Sequence, residues 1–471
     1  MVAGANVALT EIAVDPFTNA SSQHKTIVEP DTFSSGSTIV AGAQFGRFND
    51  GGASDIGFAT STDNGVTWSS GVLPGITPYT NPSGPYSRVS DPSVAFDKRH
   101  NVWLISSLAL TDPGPKGAAV IVNRSTTGGL SWGNPVTVAA ASANQDFDKN
   151  WTVCDNSTTS PFYGSCYTTW DDFGHGNLLK IAYSRDGGLT WTLGKTPRVG
   201  VIGAQPLVQP NGTVVVPLDN ASETALGYTI STNGGVNFGQ AFTITSISNF
   251  TDPGGIRSGP LPTAEIDGAG KIFVMWSDCR FRAGCAGNDI VYVTSTNGTT
   301  WSAVQRVPID AVTSTADYFI PGVGVDVTTS GATAKVGVAY HFYPNRSCTA
   351  ATCQLDVGFI SSTNGGASWG VATQLAGPMT LSWLPNTTQG RMVGDYISTS
   401  YAGGTAHPVF AVANPPTAGG ADCAVATPNC DQGLYTPSAG LAAAGGAAVA
   451  NDPVVASAPA DPGKSAFKHR H

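Results

Sequence analysis

One octapeptide recurs along the chain and restricts the folds open to it. STDNGVTW occupies 61–68 and returns as STTGGLSW (125–132), SRDGGLTW (184–191), STNGGVNF (231–238) and STNGGASW (362–369). A shortened copy, STNGTTW, spans 295–301, and the starts fall 64, 59, 47, 64 and 67 residues apart. Recurrence at such a period means one supersecondary unit per copy, stacked on its neighbours. Within a copy, Asp or Asn next to Gly makes a tight turn with Gly in the left-handed region. The closing aromatic then anchors the next strand.

The order between copies is regular. A first strand is expected after each short polar or proline motif: Glu29-Pro30, Asp91-Pro92, Asp148-Lys149, Gln205-Pro206, Gly259-Pro260, Ile320-Pro321 and Gly394-Asp395. A strongly apolar second strand follows, such as NVWLISSL from 101 or KIFVMWSD from 271. A third strand enters the octapeptide and a fourth leaves it. Such a meander is the blade of a propeller. Seven first strands stand against six octapeptides. The expected fold is therefore all-β, a seven-bladed β-propeller of four-stranded antiparallel blades, with six blades as the alternative. The seventh blade takes 391–399, 407–413 and 432–436. The N-terminal 6–15 supplies its fourth strand, closing the ring and removing exposed edges. Residues 1–437 form a single domain, and 438–471, rich in Ala, Gly and Pro, read as a flexible tail.

The octapeptides match the Asp box, or BNR repeat, and the chain resembles the sialidase-like superfamily. It is similar to secreted proteins loosely called exo-sialidases. DPSVAFD (91–97), DKNWTVCD (148–155) and GDYISTS (394–400) carry that likeness, over roughly 25–415. The resemblance implies a secreted carbohydrate-active propeller. The expected ring is also similar to seven-bladed polysaccharide lyases.

Composition narrows partners and compartment. The net charge of -9 argues against nucleic acid or an anionic membrane as partner. No run of 18 apolar residues suggests a transmembrane span. The eight cysteines fall into four near neighbours, Cys154/Cys166, Cys279/Cys285, Cys348/Cys353 and Cys423/Cys430, none with CxxC spacing. They read as four local disulfides in an oxidising, extracellular compartment. No signal peptide is visible at Met1, and the chain reads as a mature form. A monomer is expected.

Antiparallel topology sorts the loops. Every octapeptide joins a third strand to a fourth, so all lie on one face and their acids are expected to be structural. The opposite face collects the long loops 46–55, 111–117, 170–180, 277–289, 341–356 and 414–432, and three of the four cysteine pairs lie in them. Long loops on a rigid scaffold commonly carry function. Seven of the thirteen arginines map there: Arg47, Arg88, Arg257, Arg280, Arg282, Arg346 and Arg391. Guanidinium groups suit bidentate carboxylate recognition. Pairing with loop acids such as Asp50, Asp252 and Asp278 is the plainer reading of any one of them.

The expected substrate-binding set is Arg47, Arg88, Arg257, Arg280, Arg391, Glu29, Asp91 and Tyr318. His175, His341 and Tyr343 are the candidate catalytic residues, because a base with a pKa near neutrality suits proton abstraction. Phe48, Phe173, Phe342 and Tyr396 are further aromatics for stacking on sugars. Asp171 and Asp172, beside His175, offer oxygens to a structural Ca2+, although a solvated turn reads equally well. No cofactor is expected to be required.

Sialidases carry an F/Y-R-I-P arginine motif before the first box, and none is present here. Only four glutamates occur, Glu11, Glu29, Glu223 and Glu265. A channel mouth with Arg, His and Tyr but few Glu favours β-elimination next to an acidic, uronate-type sugar over a two-carboxylate mechanism. A sialidase-like exo-glycoside hydrolase is the second reading. A non-catalytic glycan- or protein-binding propeller is the third.

Overall fold

The computed structural model describes residues 7–416, 422–424 and 430–446. Among these, the chain is all-β, and its helices are five three-residue 3-10 turns. Antiparallel groups of mostly four strands follow one another along the sequence, the first two joined in one eight-stranded sheet, and Asn386–Thr387 with Gly390–Arg391 form a separate two-stranded one. The first takes Ile27–Ser35, Thr38–Arg47, Ala53–Ser61 and Ser69–Val72. The second takes Arg88–Asp97, Val102–Thr111, Lys116–Ser125 and Val136–Ala140, joined to the first by an Ala53–Val89 pair. The third is Phe147–Cys154, Cys166–Asp172, Leu178–Ser184 and Thr192–Leu193. The fourth splits its first strand into Val201–Ala204 and Leu207–Val208, then continues with Val214–Asn220, Ala225–Ser231 and Phe242–Ser246. The fifth is Thr263–Ile266, Ile272–Asp278, Asp289–Ser295 and Gln305–Arg306. The sixth is Asp317–Val325, Val336–Tyr343, Gln354–Ser362 and Thr373–Thr380.

The seventh sheet combines both ends of the described chain. Ser398–Ala402, Thr405–Ala413 and Gln432–Pro437 are completed by Leu9–Ala13, which pairs antiparallel with Gln432–Pro437. The inner strand of each sheet touches that of the next, and Ser398–Ala402 returns to Ile27–Ser35. Thr32 Oγ1 bridges that junction to Ser398 Oγ at 2.9 Å and Ser400 Oγ at 2.8 Å. Folded structure continues past 437, because Leu441–Ala442 adds to Thr405–Ala413. The rest of the expected tail, 447–471, lies outside the described residues.

Second strands are covered on both faces, which explains their continuous apolar runs. Val102–Thr111 is buried at every position but the last. Apolar clusters fill the wedges between neighbouring sheets. One joins Phe273, Met275 and Tyr292 of the fifth to Val323, Val338 and Tyr340 of the sixth. All four local disulfides form.

The octapeptides are third-to-fourth connections, with a repeated hydrogen-bond pattern. The leading Ser accepts from the glycine four residues on, at 2.9 Å for Ser61/Gly65 and Ser184/Gly188, and at 3.0 Å for Ser231/Gly235. The Asp or Asn two residues after Ser accepts from the strand beyond the turn, as in Thr67 N to Asp63 Oδ1 at 2.9 Å. Bonds from the Thr67 hydroxyl and amide and the Ser61 hydroxyl hold the exposed Asp63 carboxyl down at about 2. These acids are thus engaged in turn architecture.

The motifs expected to precede first strands instead lie inside four of them, Asp148-Lys149 at a slip between Asp148 and Trp151. Glu29-Pro30, Asp91-Pro92 and Ile320-Pro321 sit where the pairing register slips, between Val28 and Asp31, Ser90 and Ser93, and Phe319 and Gly322. A β-bulge leaves a residue out of the ladder, so a proline without N–H is tolerated there.

Because Ser231 is buried and its hydroxyl both donates to Asn233 and accepts from Gly235, Ser231→Ala is expected to lower unfolding free energy by about 1–2 kcal/mol. Urea melts measure it; an unchanged midpoint would contradict the turn's structural role.

Candidate active site in the channel

The bulges on the inner strands aim polar side chains at one another. Glu29, Asp91 and Lys149 occupy equivalent bulge positions, with φ of 55°, 49° and 50°. Left-handed φ in a residue other than glycine costs of order 1–3 kcal/mol and persists only where the surroundings enforce it. Asp395, which follows Gly394 (φ 143°), and Arg257, before the fifth sheet, complete a buried group.

Asp395 is its hub. It accepts from Arg257 Nε at 2.7 Å and pairs with the Lys149 ammonium. That ammonium is 3.7 Å from Asp91, and Arg257 Nη2 is 3.9 Å from Glu29. The Gln44 amide donates to Glu29 and to Ser90 Oγ, the latter at 3.1 Å. Gln44 Oε1 accepts from Arg47 Nη1 at 2.7 Å. Three carboxylates therefore face three cations, which suits burial, because unpaired charge in such a place is very costly.

The electrostatics separate these groups. Burial, reinforced by Asp395 and Asp91, pushes the Glu29 carboxyl up. Burial alone would pull Lys149 down, but Asp395, Asp91 and Glu29 outweigh it and raise the ammonium. Burial and the Arg257 charge lower Arg47 to about 10.

A cleft borders this group. Its lining includes Asp91, Lys149, Asn150, Trp151, Gln205 and Tyr396, with Leu261 and Pro262 as an apolar wall. Trp151 and Tyr396 meet edge to face with centroids 5.1 Å apart, and Tyr396 Oη donates to Pro92 O at 3.1 Å.

The structure divides the residues expected from sequence. Glu29, Asp91, Arg47 and Arg257 come together. Arg88 lies over the Phe48 ring and pairs with Asp50 and with Asp112 at 2.8 Å. Arg280 pairs with Asp278 at 2.6 Å, and Arg391 with Asp422 at 2.7 Å. Tyr318 is buried and donates to Asp310 at 2.7 Å.

His341 has 0% exposure, stacks with Phe319 at 6.5 Å, and is pushed down to about 3 by burial. Tyr343 is equally enclosed, beside Phe319 in the apolar layer between the sixth and seventh sheets. Neither lines the channel cleft. His175 is half-exposed in the 3-10 turn Phe173–His175 between two strands of the third sheet, its Nδ1 2.9 Å from Asp172. Asp172 also accepts from Gln145, and Asp171 from Asn177, both at 2.9 Å. No group of three His, Cys, Asp or Glu suited to a metal occurs among the described residues.

Lys149, Asp395, Trp151 and Gln44 are additions to the expected set. The signal for Lys149 was its offset: it stands where Glu29 and Asp91 stand in their strands.

No protein-family model and no curated protein matches this chain. Among solved structures it is similar to Hadza microbial sialidase Hz136, with 16% identity and a TM-score of 0.47. That match covers 68% of this chain and 65% of the other, so the chain spans just under two thirds of that protein's length. A protein of unknown function from Dyadobacter fermentans matches at 16% identity and TM-score 0.48, over 76% of this chain and 99% of its own. The intramolecular trans-sialidase from Ruminococcus gnavus matches at 12% and 0.48, over 72% and 94%.

Burial also raises two carboxyls of the first sheet. Asp31 moves from 3.8 to about 7 and Asp55 from 3.8 to about 8. Across that window the folded chain holds protons the unfolded chain has released, so their contribution is full below pH about 4 and lost as pH rises to about 8. Urea midpoints of the native chain are expected to fall relative to an Asp31→Asn/Asp55→Asn variant over this range; a parallel pH profile would contradict the shifts.

Proposed function

We propose that this chain is a secreted seven-bladed β-propeller that cleaves glycosidic bonds beside an acidic sugar at the channel mouth. Seven sheets in chain order, with inner strands in contact around the circuit and the N-terminal strand completing the last, support the propeller. Four disulfides support an oxidising compartment.

The observation that carries the chemistry is a cleft where Asp91 and Lys149 stand beside Trp151 and Tyr396. The aromatics offer a surface to a sugar ring. Behind the cleft, Glu29 is pushed toward its protonated form while Asp395 is held by two cations. A carboxyl held toward its protonated form is what general-acid glycoside hydrolysis uses. Asp91, on the cleft wall, is assigned to act on the glycosidic bond, with Glu29 as the proton reserve behind it.

β-Elimination is the second reading, favoured by the cations Lys149 and Arg257. The hydrolytic reading is preferred over it here because His341 is enclosed and His175 lies outside the cleft, leaving elimination without its expected histidine base. Tyr396 is pushed up by burial and by Glu29, and so stays protonated.

A panel of uronate-containing oligosaccharides tests this. Hydrolysis gives new reducing ends without ultraviolet-absorbing products; absorbing, unsaturated products would select elimination. Asp91→Asn is expected to lower kcat/KM by about 100-fold or more, and Trp151→Ala to raise KM. Binding without any product would overturn the enzymatic reading.

A further inference from the structure

A second cleft opens far from the channel cluster, between the fifth and sixth sheets at the octapeptide end. It encloses about 300 Å³, the lower end of what small-ligand sites need. Its origin is legible in the chain. The fifth octapeptide is the shortened one, and the strand it leads to, Gln305–Arg306, has only two residues. The wedge beside the sixth octapeptide is left unfilled.

Lys271, Tyr292, Thr294, Gln305 and Asn364 line it, with the backbone of Gly365. No carboxylate is among the lining residues, although the whole chain carries a net charge of -9. Lys271 is half-buried. Its ammonium donates to Gly365 O at 3.1 Å and lies 4.8 Å from the centre of the Phe273 ring. None of the described carboxylates forms an ion pair with it. Lys149 and Arg257, by contrast, are each paired with Asp395. Burial lowers the Lys271 ammonium below its ordinary range, although the nearby Asp267 charge opposes the shift. Around it the surface is hydrogen-bonding. Tyr292 Oη lies 2.8 Å from the Gln305 side-chain amide and 2.9 Å from Gly366 O, and Thr294 adds a hydroxyl.

We propose that this cleft is a binding subsite for a carboxylate-bearing sugar unit, with Lys271 receiving the carboxylate and Gln305 and Thr294 the ring hydroxyls. The subsite rests on Lys271 and not on the chemistry assigned to the channel, so either can fail alone.

Calorimetric titration of the full chain with trigalacturonate, galactotriose and sodium sulfate tests it, using the Trp151→Ala variant to isolate the cleft from the channel. In that background trigalacturonate is expected to bind and galactotriose not. Lys271→Met should weaken binding about tenfold or more, and Lys271→Arg should largely restore it, with thermal melts confirming that each variant folds. Equal binding of the neutral trisaccharide, an unchanged affinity in Lys271→Met, or sulfate binding as tightly as trigalacturonate would each overturn the proposal.

Discussion

Asp395 and the two cations it holds are the interaction on which the inner architecture depends. Lys149 comes from the third sheet, Arg257 from the approach to the fifth, and Asp395 from the approach to the seventh. Glu29 and Asp91 bring in the first and second sheets. Five parts of the chain, far apart in sequence, are thereby tied at the centre by charges that have left water. Such a group tolerates no missing member, because each removal leaves a buried charge uncompensated. Apolar wedges between sheets hold neighbours together, while the charged group links sheets that are not neighbours.

The bulges make that convergence possible. A regular strand turns alternate side chains to either face of its sheet, toward the neighbouring sheets. The left-handed residue at Glu29, Asp91 and Lys149 takes its side chain out of that alternation. The local conformational cost is offset by the ion pairs it allows, and the prolines at 30 and 92 fit because a bulge frees the backbone from the ladder. Left-handed backbone and buried charge thus coincide at these three bulges, whereas the octapeptide aspartates Asp63 and Asp186 are engaged in turn hydrogen bonds.

Repeats made the sheets readable from sequence. The octapeptides are third-to-fourth turns, and the seventh sheet, which has none, was legible from its strands and the N-terminal segment. Four of the six charged residues that meet at the centre were singled out in the sequence, Glu29 and Asp91 from the first-strand motifs and Arg47 and Arg257 from the loop face. Lys149 was passed over since a lysine replaces an acid at that point, and charge pairing across sheets leaves no local pattern. His341 was misplaced for a different reason. It was read as the start of a long loop but belongs to the strand Val336–Tyr343, where the period of two puts Ala339, His341 and Tyr343 on one face against Phe319. Arg280 had its partner two residues away in Asp278, so its pairing was the simpler reading throughout.

A double-mutant cycle between Lys149 and Asp395 tests the central claim most directly. Unfolding free energies of the native chain, Lys149→Met, Asp395→Asn and the double variant give the coupling between the two side chains. A buried pair at the hub of the structure should show a coupling of about 2 kcal/mol or more, with each single variant costing more than its share of the double. A coupling near zero would mean that the charged group is incidental to the ring, and would contradict the account.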